Sequence, residues 1–251
     1  RTVCRDASGF SPNHVHVIPN GVDVNRFRPA KLPESDPAEI TIGFVGSLKP
    51  WHGVDFLLEA FLRLHCECQN VRLHIIGDGP MRESLQQSAA AFPATVANSI
   101  EFRAVVSPED MPEHLNRLDI AVAPYGDTRE SWFSPLKVYE YMACGLAVVA
   151  SATGQLCDLV EDGVNGLLVP PGDCEQLATA LTSLVRSAEL RHHLGVAARQ
   201  TVVRNHSWDH TLETILATVN NDRDEIQNSD RKRESQFPPE LSCGTALRMM
   251  N

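Results

Sequence analysis

The sequence predicts an α/β fold in which a doubly wound parallel sheet carries helices on both faces. Between about residues 40 and 205, short apolar runs of strand length alternate with segments whose apolar residues recur at helical spacing. Each apolar run is nearly continuous, as is typical of strands that are buried on both faces. The first two runs end at glycines, where a strand gives way to a loop. Together these observations indicate one Rossmann-like domain, whose ligands should bind at the carboxyl ends of the strands.

The predicted strands and helices follow one another in a regular order. The strand EITIGFVGS is followed by the helix GVDFLLEAFLRLH, and VRLHIIGDGP with MRESLQQSAAAF repeats the unit. A third unit pairs SIEFRAV with SPEDMPEHLNRL, whose helix is predicted to begin at Ser107 and Pro108. DIAVAPY is the fourth strand and PLKVYEYMACG its helix, LAVVAS is the fifth strand and GLLVPPGD the last. The helix CEQLATALTSLVRS and a further helical region to about residue 219 complete the domain.

Two flanking segments differ from the domain in composition. Residues 1–39 are rich in loop-forming residues and contain one short apolar strand, VHVI, before a Pro-Asn-Gly turn. Residues 220–251 contain few apolar residues and charges of both signs, which is typical of a disordered tail. We therefore expect an interdomain-type segment with a lead-in strand at 1–39, a folded domain at 40–219 and a disordered tail at 220–251.

The charge balance argues against nucleic acid or an anionic membrane surface as a partner. The chain carries 22 Lys and Arg against 32 Asp and Glu, a formal net charge of −10, so any anion site must be local. The longest apolar runs are far too short to span a bilayer, and no secretory signal opens the chain. We expect a cytoplasmic protein, either free or peripheral at the membrane.

Cysteine and histidine spacings predict neither a disulfide framework nor a metal site. The seven cysteines are an odd number without zinc-type spacing, which favours reduced thiols. His206 and His210 have helical i,i+4 spacing, but no third ligand candidate accompanies them. We therefore expect that this pair lies on a surface helix and binds no metal.

The stretch SWFSPLKVYEYMACG has only two charged side chains, Lys137 and Glu140. Ser134 is the predicted N-cap of its helix and Pro135 the first helical residue, which puts Lys137 third. A glutamate there would complete a capping box, whereas a lysine opposes the helix dipole. A bound anion would explain the lysine, because its ammonium and the backbone N–H groups of Leu136 and Lys137 would cradle a phosphate. A solvated surface lysine is an equally supported alternative.

Glu140 lies one turn further along the same helix, which leads into a buried strand. A covered carboxylate needs a partner, and two are open. Lys137, three residues earlier, would give an ion pair within the helix. The hydroxyls of a sugar ring are the other option, because a carboxylate only accepts hydrogen bonds and a vicinal diol donates two. A phosphate at the helix start and a diol one turn later would outline a nucleotide.

The chain resembles the C-terminal, donor-binding half of glycosyltransferase family 4, whose GT-B fold consists of two Rossmann-like domains. The resemblance covers about residues 15–215 and rests on motifs in the family's order: VIPNGVD, IGFVGSLKPWHGVDFLLEAF, LHIIGDGPMRESL, LDIAVAPY, PLKVYEYMACGLAVVAS and LVEDGVNGLLVPPGD. It implies that residues 40–219 bind a nucleotide-sugar donor whose sugar is transferred to an acceptor hydroxyl of a glycan, lipid or small molecule. It also implies retention of anomeric configuration, with no metal and no cofactor beyond the substrate.

The resemblance also implies roles for individual residues. Glu140 matches the second glutamate of the family's E-x7-E signature, which holds the ribose hydroxyls, and Leu136 and Lys137 match donors to the diphosphate. Lys137 and Glu140 are therefore the expected catalytic residues. The glycine loop is expected to face the same diphosphate, and two valines match the segment beside the base. The implied donor-nucleotide site consists of Gly46, Ser47, Lys49, His52, Val105, Val106, Ser134, Pro135, Leu136, Lys137 and Glu140.

Three positions depart from the family's pattern. Trp132 stands where the first glutamate of the signature belongs, and Glu130 lies two residues before that position. Ser47 replaces the family's usual arginine and His52 its usual lysine, so Lys49 and Lys137 would have to restore positive charge. For His52, packing within the loop and a role beside the phosphate both remain open.

Two hypotheses about function follow, because GT-B enzymes bind the acceptor with an N-terminal domain and nothing before VIPNGVD predicts one. In the first, the chain is the donor-binding half of a glycosyltransferase. In the second, it is a nucleotide-sugar-binding module that is inactive alone or needs an N-terminal partner domain in trans. An epimerase on the same fold would need the second domain as much. A nicotinamide dehydrogenase is disfavoured, since no G-x-G-x-x-G opens the first strand–helix unit.

Overall fold

The computed structural model describes residues 16–30, 39–126 and 134–236. The chain divides into two compact units. The larger unit is Pro19–Thr211, and the other combines Arg1–Ile18 with Leu212–Asn251. Of the smaller unit, the structure describes residues 16–18, which have no regular secondary structure, and the part of the last helix from Leu212 to Gln236.

The larger unit contains a six-stranded sheet in the order β3-β2-β1-β4-β5-β6. Every pair of neighbouring strands is parallel, which confirms the predicted α/β doubly wound sheet. The described strands are β1 (Ile40–Val45), β2 (Val71–Ile76), β3 (Ile100–Arg103), β4 (Ile120–Ala123), β5 (Ala147–Ser151) and β6 (Leu167–Val169).

Helices follow most of the strands, and two of the helices begin at a side chain that caps the first turn. The Asp173 carboxylate accepts hydrogen bonds from the first turn of one helix, and the Ser187 hydroxyl does so for the next. A short 3-10 turn, Pro50–His52, precedes the first α-helix. The described α-helices are α1 (Val54–Glu67), α2 (Arg82–Ala90), α3 (Ala94–Ala97), α4 (Met111–Leu115), α5 (Leu136–Ala143), α6 (Leu156–Leu159), α7 (Cys174–Arg186), α8 (Ala188–Asn205) and α9 (Trp208–Gln236).

Two apolar clusters form, one on each face of the sheet. Successive strand residues point to opposite faces, so Phe44 and Val45 of β1 belong to different clusters. The cluster around Phe44 includes the apolar sides of α1 and α7, and the cluster around Val45 includes most of α5 and the inner side of α8. This two-sided burial explains why the strands have continuous apolar sequences.

The region where β1 and β4 separate, which we call the crevice, lies at the carboxyl end of the sheet. The β1–β2 ladder continues to the end of β1, where Val45 lies opposite Ile76. The β1–β4 ladder, in contrast, contains only Ile42 opposite Ile120 and Gly43 opposite Ala121. The chain leaves β1 toward β2 on one side and returns as β4 on the other, so this gap is the topological switch point at which open α/β sheets bind ligands.

The lead-in strand predicted at 15–18 is not formed by its described residues, 16–18. The backbone pairing of this part of the chain occurs a few residues later, as one parallel bridge between Val22 and Ser207. Val22 N–H donates to the carbonyl of His206, and Trp208 N–H donates to the carbonyl of Val22. A strand needs a neighbour along its length, and here the neighbour is a single residue of the α8–α9 connection.

Two predicted helix boundaries also differ from the structure. The helix predicted from Ser107 begins at Met111, because Ser107 Oγ accepts a hydrogen bond from Asp110 N–H and closes a turn first. Residues 220–236, predicted to be disordered, continue α9. These residues include no glycine or proline, so nothing in their sequence breaks the helix. Residues 237–251 lie outside the described residues.

None of the helices in the described ranges is long and apolar enough to cross a bilayer. The five cysteines in these ranges, Cys66, Cys68, Cys144, Cys157 and Cys174, are free thiols. Nowhere in the same ranges do three His, Cys, Asp or Glu side chains converge as a metal ion would require. The His206 ring packs against Tyr139, with 5.1 Å between the ring centroids.

Candidate functional site

Glycines bring the loops after β1, β2 and β4 into close contact at the crevice. Gly53 has a φ of 64°, and a Cβ there would overlap the carbonyl oxygen of Pro124. Gly77 has a φ of 137°, and a Cβ there would overlap the carbonyl oxygen of Gly46. Both conformations favour glycine, and neither position leaves space for a side chain. The three loops around Lys137 therefore meet through backbone contacts at these two glycines.

The ammonium group of Lys137 lies inside this crevice. Its Nζ is 4.3 Å from the ring centroid of Phe44 on β1 and 5.4 Å from that of Tyr125, just after β4. A Cβ at Gly46 would be only 2.6 Å from the same Nζ. Although the residue as a whole is half-buried, Nζ itself is buried and has no hydrogen-bond partner among the described residues. The alternative of a solvated surface lysine is therefore wrong.

A buried ammonium without a hydrogen-bond partner either acquires an anion or loses its proton. The two aromatic rings compensate only part of the lost hydration. Burial accordingly lowers the pKa of Lys137 from 10.5 to about 7, although the charge of Glu140 opposes the shift. An anion in the crevice would raise this pKa again. The arrangement is therefore suited to binding an anion at Lys137.

The imidazole ring of His52 lies near Lys137 and is neutral. Burial, and then the charge of Lys137, lower the pKa of His52 to about 4. Its Nδ1 donates to the carbonyl of Ser47, which fixes the tautomer, and its ring lies edge-on to Tyr125 at 5.6 Å between centroids. The ring therefore packs within the loop and adds no positive charge near neutral pH. A role for His52 beside a phosphate stays a prediction.

The start of α5 lies one residue later than predicted. Pro135 has a ψ of 54° and is the N-cap residue, Leu136 is the first helical residue and Lys137 the second. The amides of Val138 and Tyr139 donate to the carbonyl of Pro135. Ser134 therefore does not cap the helix, and its Oγ, like Lys137 Nζ, is buried without a partner among the described residues.

The amide donors predicted at the helix start are not both free. Leu136 N–H already donates to the carbonyl of Ser134, at 2.9 Å. The prediction of two free amides therefore fails for Leu136, because the tight turn at Ser134 uses that amide before the helix begins. Two buried side-chain atoms at this helix start, Ser134 Oγ and Lys137 Nζ, lack hydrogen-bond partners in the described part of the chain.

Glu140 is half-buried and faces two cations. Burial raises its pKa, while the charges of Arg26 and Lys137 lower it. Since Lys137 Nζ lies against Gly46 and hydrogen-bonds to no described residue, the two side chains do not form the intrahelical hydrogen-bonded pair. Arg26 packs over the Phe27 ring at 5.2 Å and donates to the carbonyl of Pro108. Arg26 thus links Glu140 electrostatically to the loop after β3.

The other predicted site residues lie around the crevice at different depths. Val105 is 71% exposed in the loop after β3, whereas Val106 is half-buried against the cluster around Val45. Lys49 Nζ lies 4.8 Å from the Trp51 ring centroid. The structure therefore brings Gly46, His52 and Lys137 together, whereas the Lys49 ammonium packs over the ring of Trp51. Trp132 and Glu130 lie outside the described residues.

Phe44, Tyr125 and Arg26 also contact or face the site, and none of them was predicted from the sequence. The first two could have been identified, since each is an aromatic residue near the carboxyl end of a predicted strand, where ligands bind. Arg26 sits in a loop far from Glu140 along the chain, and no local pattern singles it out.

A six-stranded parallel sheet with its switch point between β1 and β4 defines a Rossmann-like α/β domain. The same fold occurs in the C-terminal domain of a glycosyl transferase group 1 family protein (LpcC) from Francisella tularensis, with a TM-score of 0.67, 24% identity, and coverage of 75% of this chain and 100% of that domain. HepE from Anabaena in complex with UDP-glucose has a TM-score of 0.69 at 22% identity, covering 82% of this chain and 57% of HepE. The domain has the architecture of one half of a GT-B glycosyltransferase.

Sequence comparison defines the family. The profile described as "Glycosyl transferases group 1" matches residues 39–187, and the chain belongs to this family. The D-inositol 3-phosphate glycosyltransferase of Geodermatophilus obscurus is 32% identical over 233 residues, which are 84% of this chain and 48% of the relative. A GDP-mannose-dependent alpha-(1-6)-phosphatidylinositol monomannoside mannosyltransferase of Mycolicibacterium smegmatis is 29% identical over 222 residues, covering 82% of this chain and 56% of the relative. The chain thus spans about half the length of the curated relatives it matches.

Proposed function

We propose that the chain is the donor-binding half of a glycosyltransferase, which moves a sugar from a nucleotide-sugar donor to an acceptor hydroxyl. The observation that carries the proposal is the buried ammonium of Lys137, which lies beside Gly46 at the switch point without a hydrogen-bond partner among the described residues. A nucleoside diphosphate would supply the missing anion. The names of relatives support this donor class, since one depends on GDP-mannose and one fold neighbour was solved with UDP-glucose.

In the proposed reaction, the acceptor hydroxyl oxygen forms a bond to the sugar's anomeric carbon as the bond from that carbon to the diphosphate oxygen breaks. Negative charge grows on the departing diphosphate, which takes up the hydroxyl proton. Lys137 stabilises that charge from a fixed position inside the crevice, where water does not screen it. The positive end of the α5 dipole points the same way. A protein cation placed there supplies the charge stabilisation that a metal would otherwise provide, so we propose a metal-independent reaction. Family resemblance supports retention of anomeric configuration.

Glu140 is proposed to accept hydrogen bonds from the two ribose hydroxyls. Glu140→Gln should weaken nucleotide binding by about 1.5–3 kcal/mol, the usual contribution of hydrogen bonds to a charged group. Calorimetry with UDP, GDP and ADP, on a variant shown to be folded, measures the change. Glu189→Gln, at an exposed position in the first turn of α8, is the matched control and should bind as wild type does. Unchanged affinity in Glu140→Gln would contradict the ribose role.

The second candidate is a nucleotide-sugar-binding module that is inactive alone or works only with a separate N-terminal partner domain. Its supporting observation is that the chain covers 48% of the length of the Geodermatophilus obscurus relative. Both candidates use the same donor site, and a transfer assay with an added acceptor domain separates them. We propose that the acceptor is a glycan, a lipid or a small molecule, and that the protein works in the cytoplasm, free or peripheral at the membrane.

A further inference from the structure

The separation of β1 from β4 leaves the backbone N–H and C=O groups of Val45, at the end of β1, without a neighbouring strand. Gly46 N–H donates to the carbonyl of Ile76, so Gly46 faces β2. Val45, one residue earlier, faces the other side, where the ladder with β4 has already ended at Gly43. Val45 is buried, and a buried N–H or C=O without a partner is costly.

The hydroxyl of Tyr141 fills this gap. Its oxygen accepts a hydrogen bond from Val45 N–H at 2.8 Å, and its O–H donates to the carbonyl of Val45 at 3.3 Å. Tyr141 is fully buried on α5, one helical turn after Lys137. A single hydroxyl therefore bonds both backbone groups that a longer β1–β4 ladder would have paired, and it ties α5 to the end of β1.

We infer that Tyr141 is a positioning residue that holds the Lys137 ammonium in the crevice. Residues four apart lie on the same face of a helix, so Lys137 and Tyr141 both face β1. They meet consecutive residues there, because Tyr141 bonds Val45 and Lys137 Nζ lies against Gly46. A slide or rotation of α5 that moved Lys137 away from Gly46 would also move Tyr141 away from Val45, so the two hydrogen bonds of Tyr141 oppose it.

This inference rests on the proposed function, because it gives Tyr141 a role in binding the diphosphate. A tyrosine with a purely structural role would change stability and would leave the preference for a second phosphate unaltered. A positioning residue, in contrast, changes that preference, since the distance between the ammonium and the diphosphate depends on it. Tyr139 provides a matched control, because it is buried on the same helix but its ring packs against His206.

The test compares Tyr141→Phe, Tyr139→Phe and wild type by calorimetry with UDP and UMP, GDP and GMP, and ADP and AMP. The measured quantity is the affinity for the diphosphate divided by that for its monophosphate. We expect wild type and Tyr139→Phe to share one ratio, and Tyr141→Phe to lower it about tenfold, as for one misplaced charged contact. In a Lys137→Ala background, Tyr141→Phe should lower the ratio no further, because the coupled partner is gone.

The possible outcomes separate the inference from the proposed function. If wild type binds none of these nucleotides, the proposed function fails and the inference fails with it. If wild type prefers the diphosphate and folded Tyr141→Phe keeps the same ratio, the inference alone is overturned. Should Tyr141→Phe not fold, 4-aminophenylalanine at position 141 keeps the ring and a donor to the carbonyl of Val45, but its nitrogen is a poor acceptor for Val45 N–H. It must then lower the ratio, and an unchanged ratio would overturn the inference.

Discussion

The 251-residue chain should bind nucleoside diphosphates but should not transfer sugar efficiently. The proposed site holds only the donor, and transfer requires that donor and acceptor be held together. Such proximity corresponds to effective concentrations of about 10⁵–10⁸ M, or roughly 7–11 kcal/mol of the barrier. We therefore expect slow donor hydrolysis at most from the chain alone. Adding the N-terminal half of a group 1 relative should raise the transfer rate by several orders of magnitude.

The experiment fuses that N-terminal half before VIPNGVD, or supplies it in trans, and measures sugar transfer from UDP- and GDP-sugars. The added half alone is one control, and the fusion carrying Lys137→Ala is the other. Both should be close to background. Efficient transfer by the purified chain alone would contradict this account and require an acceptor site within it. If no nucleotide binds and no added half restores transfer, the substitutions at Trp132, Ser47 and His52 mark a domain that has lost its donor site.

Lys137→Ala should lower the affinity for nucleoside diphosphates by about 10- to 100-fold, as expected for a hydrogen bond to a charged group. Stability should not fall, because the wild-type protein buries this ammonium without a hydrogen-bond partner among the described residues. Calorimetry and thermal unfolding of the same preparations measure both effects. Arg204→Ala, at an exposed position of α8, removes a cation elsewhere and should bind nucleotide as wild type does. A clear loss of stability with unchanged affinity would make Lys137 a structural residue.

The same residue predicts a pH dependence of stability. The pKa of Lys137 is about 7 in the folded protein and 10.5 in the unfolded chain. Between these values the unfolded state binds more protons, so the free energy of unfolding of the wild type should rise with pH. Below pH 7 the cost of the buried charge is fully present. Lys137→Ala should therefore be more stable than wild type at pH 6, and this advantage should shrink by pH 9. Denaturant unfolding of both proteins at the two pH values tests the sign.

Local sequence patterns could predict the sheet but not the contents of its crevice. Parallel strands covered on both faces require continuous apolar runs, and such runs are visible in ITIGFV and AVVAS without any tertiary information. The burial of Lys137 Nζ depends on Phe44 and Tyr125, which are distant from it along the chain. Lys137, an unusual residue at a helix start, indicated where the site lies. Only the packing of β1, β4 and α5 shows that its ammonium group is buried.

The errors have equally specific causes. Ser-Pro pairs were predicted to begin two helices, yet in both cases the chain makes a turn first and the helix starts later. Side-chain hydrogen bonds and the ψ of Pro135 decide these boundaries, and propensity alone does not contain them. Tyr141 could not be identified because its partner, Val45, is 96 residues away along the chain. Its importance depends on where the β1–β4 ladder stops.

If a bound diphosphate is the missing partner of the Lys137 ammonium, binding should be accompanied by proton uptake. With a pKa of about 7 in the empty site, Lys137 is largely neutral at pH 8 and should become protonated when the anion binds. Calorimetry of the tightest-binding nucleoside diphosphate, in two buffers of different ionisation enthalpy, counts these protons. Wild type should take up close to one proton at pH 8 and fewer at pH 6, and Lys137→Arg should take up none because arginine stays charged. Binding by wild type at pH 8 without proton uptake would contradict the account.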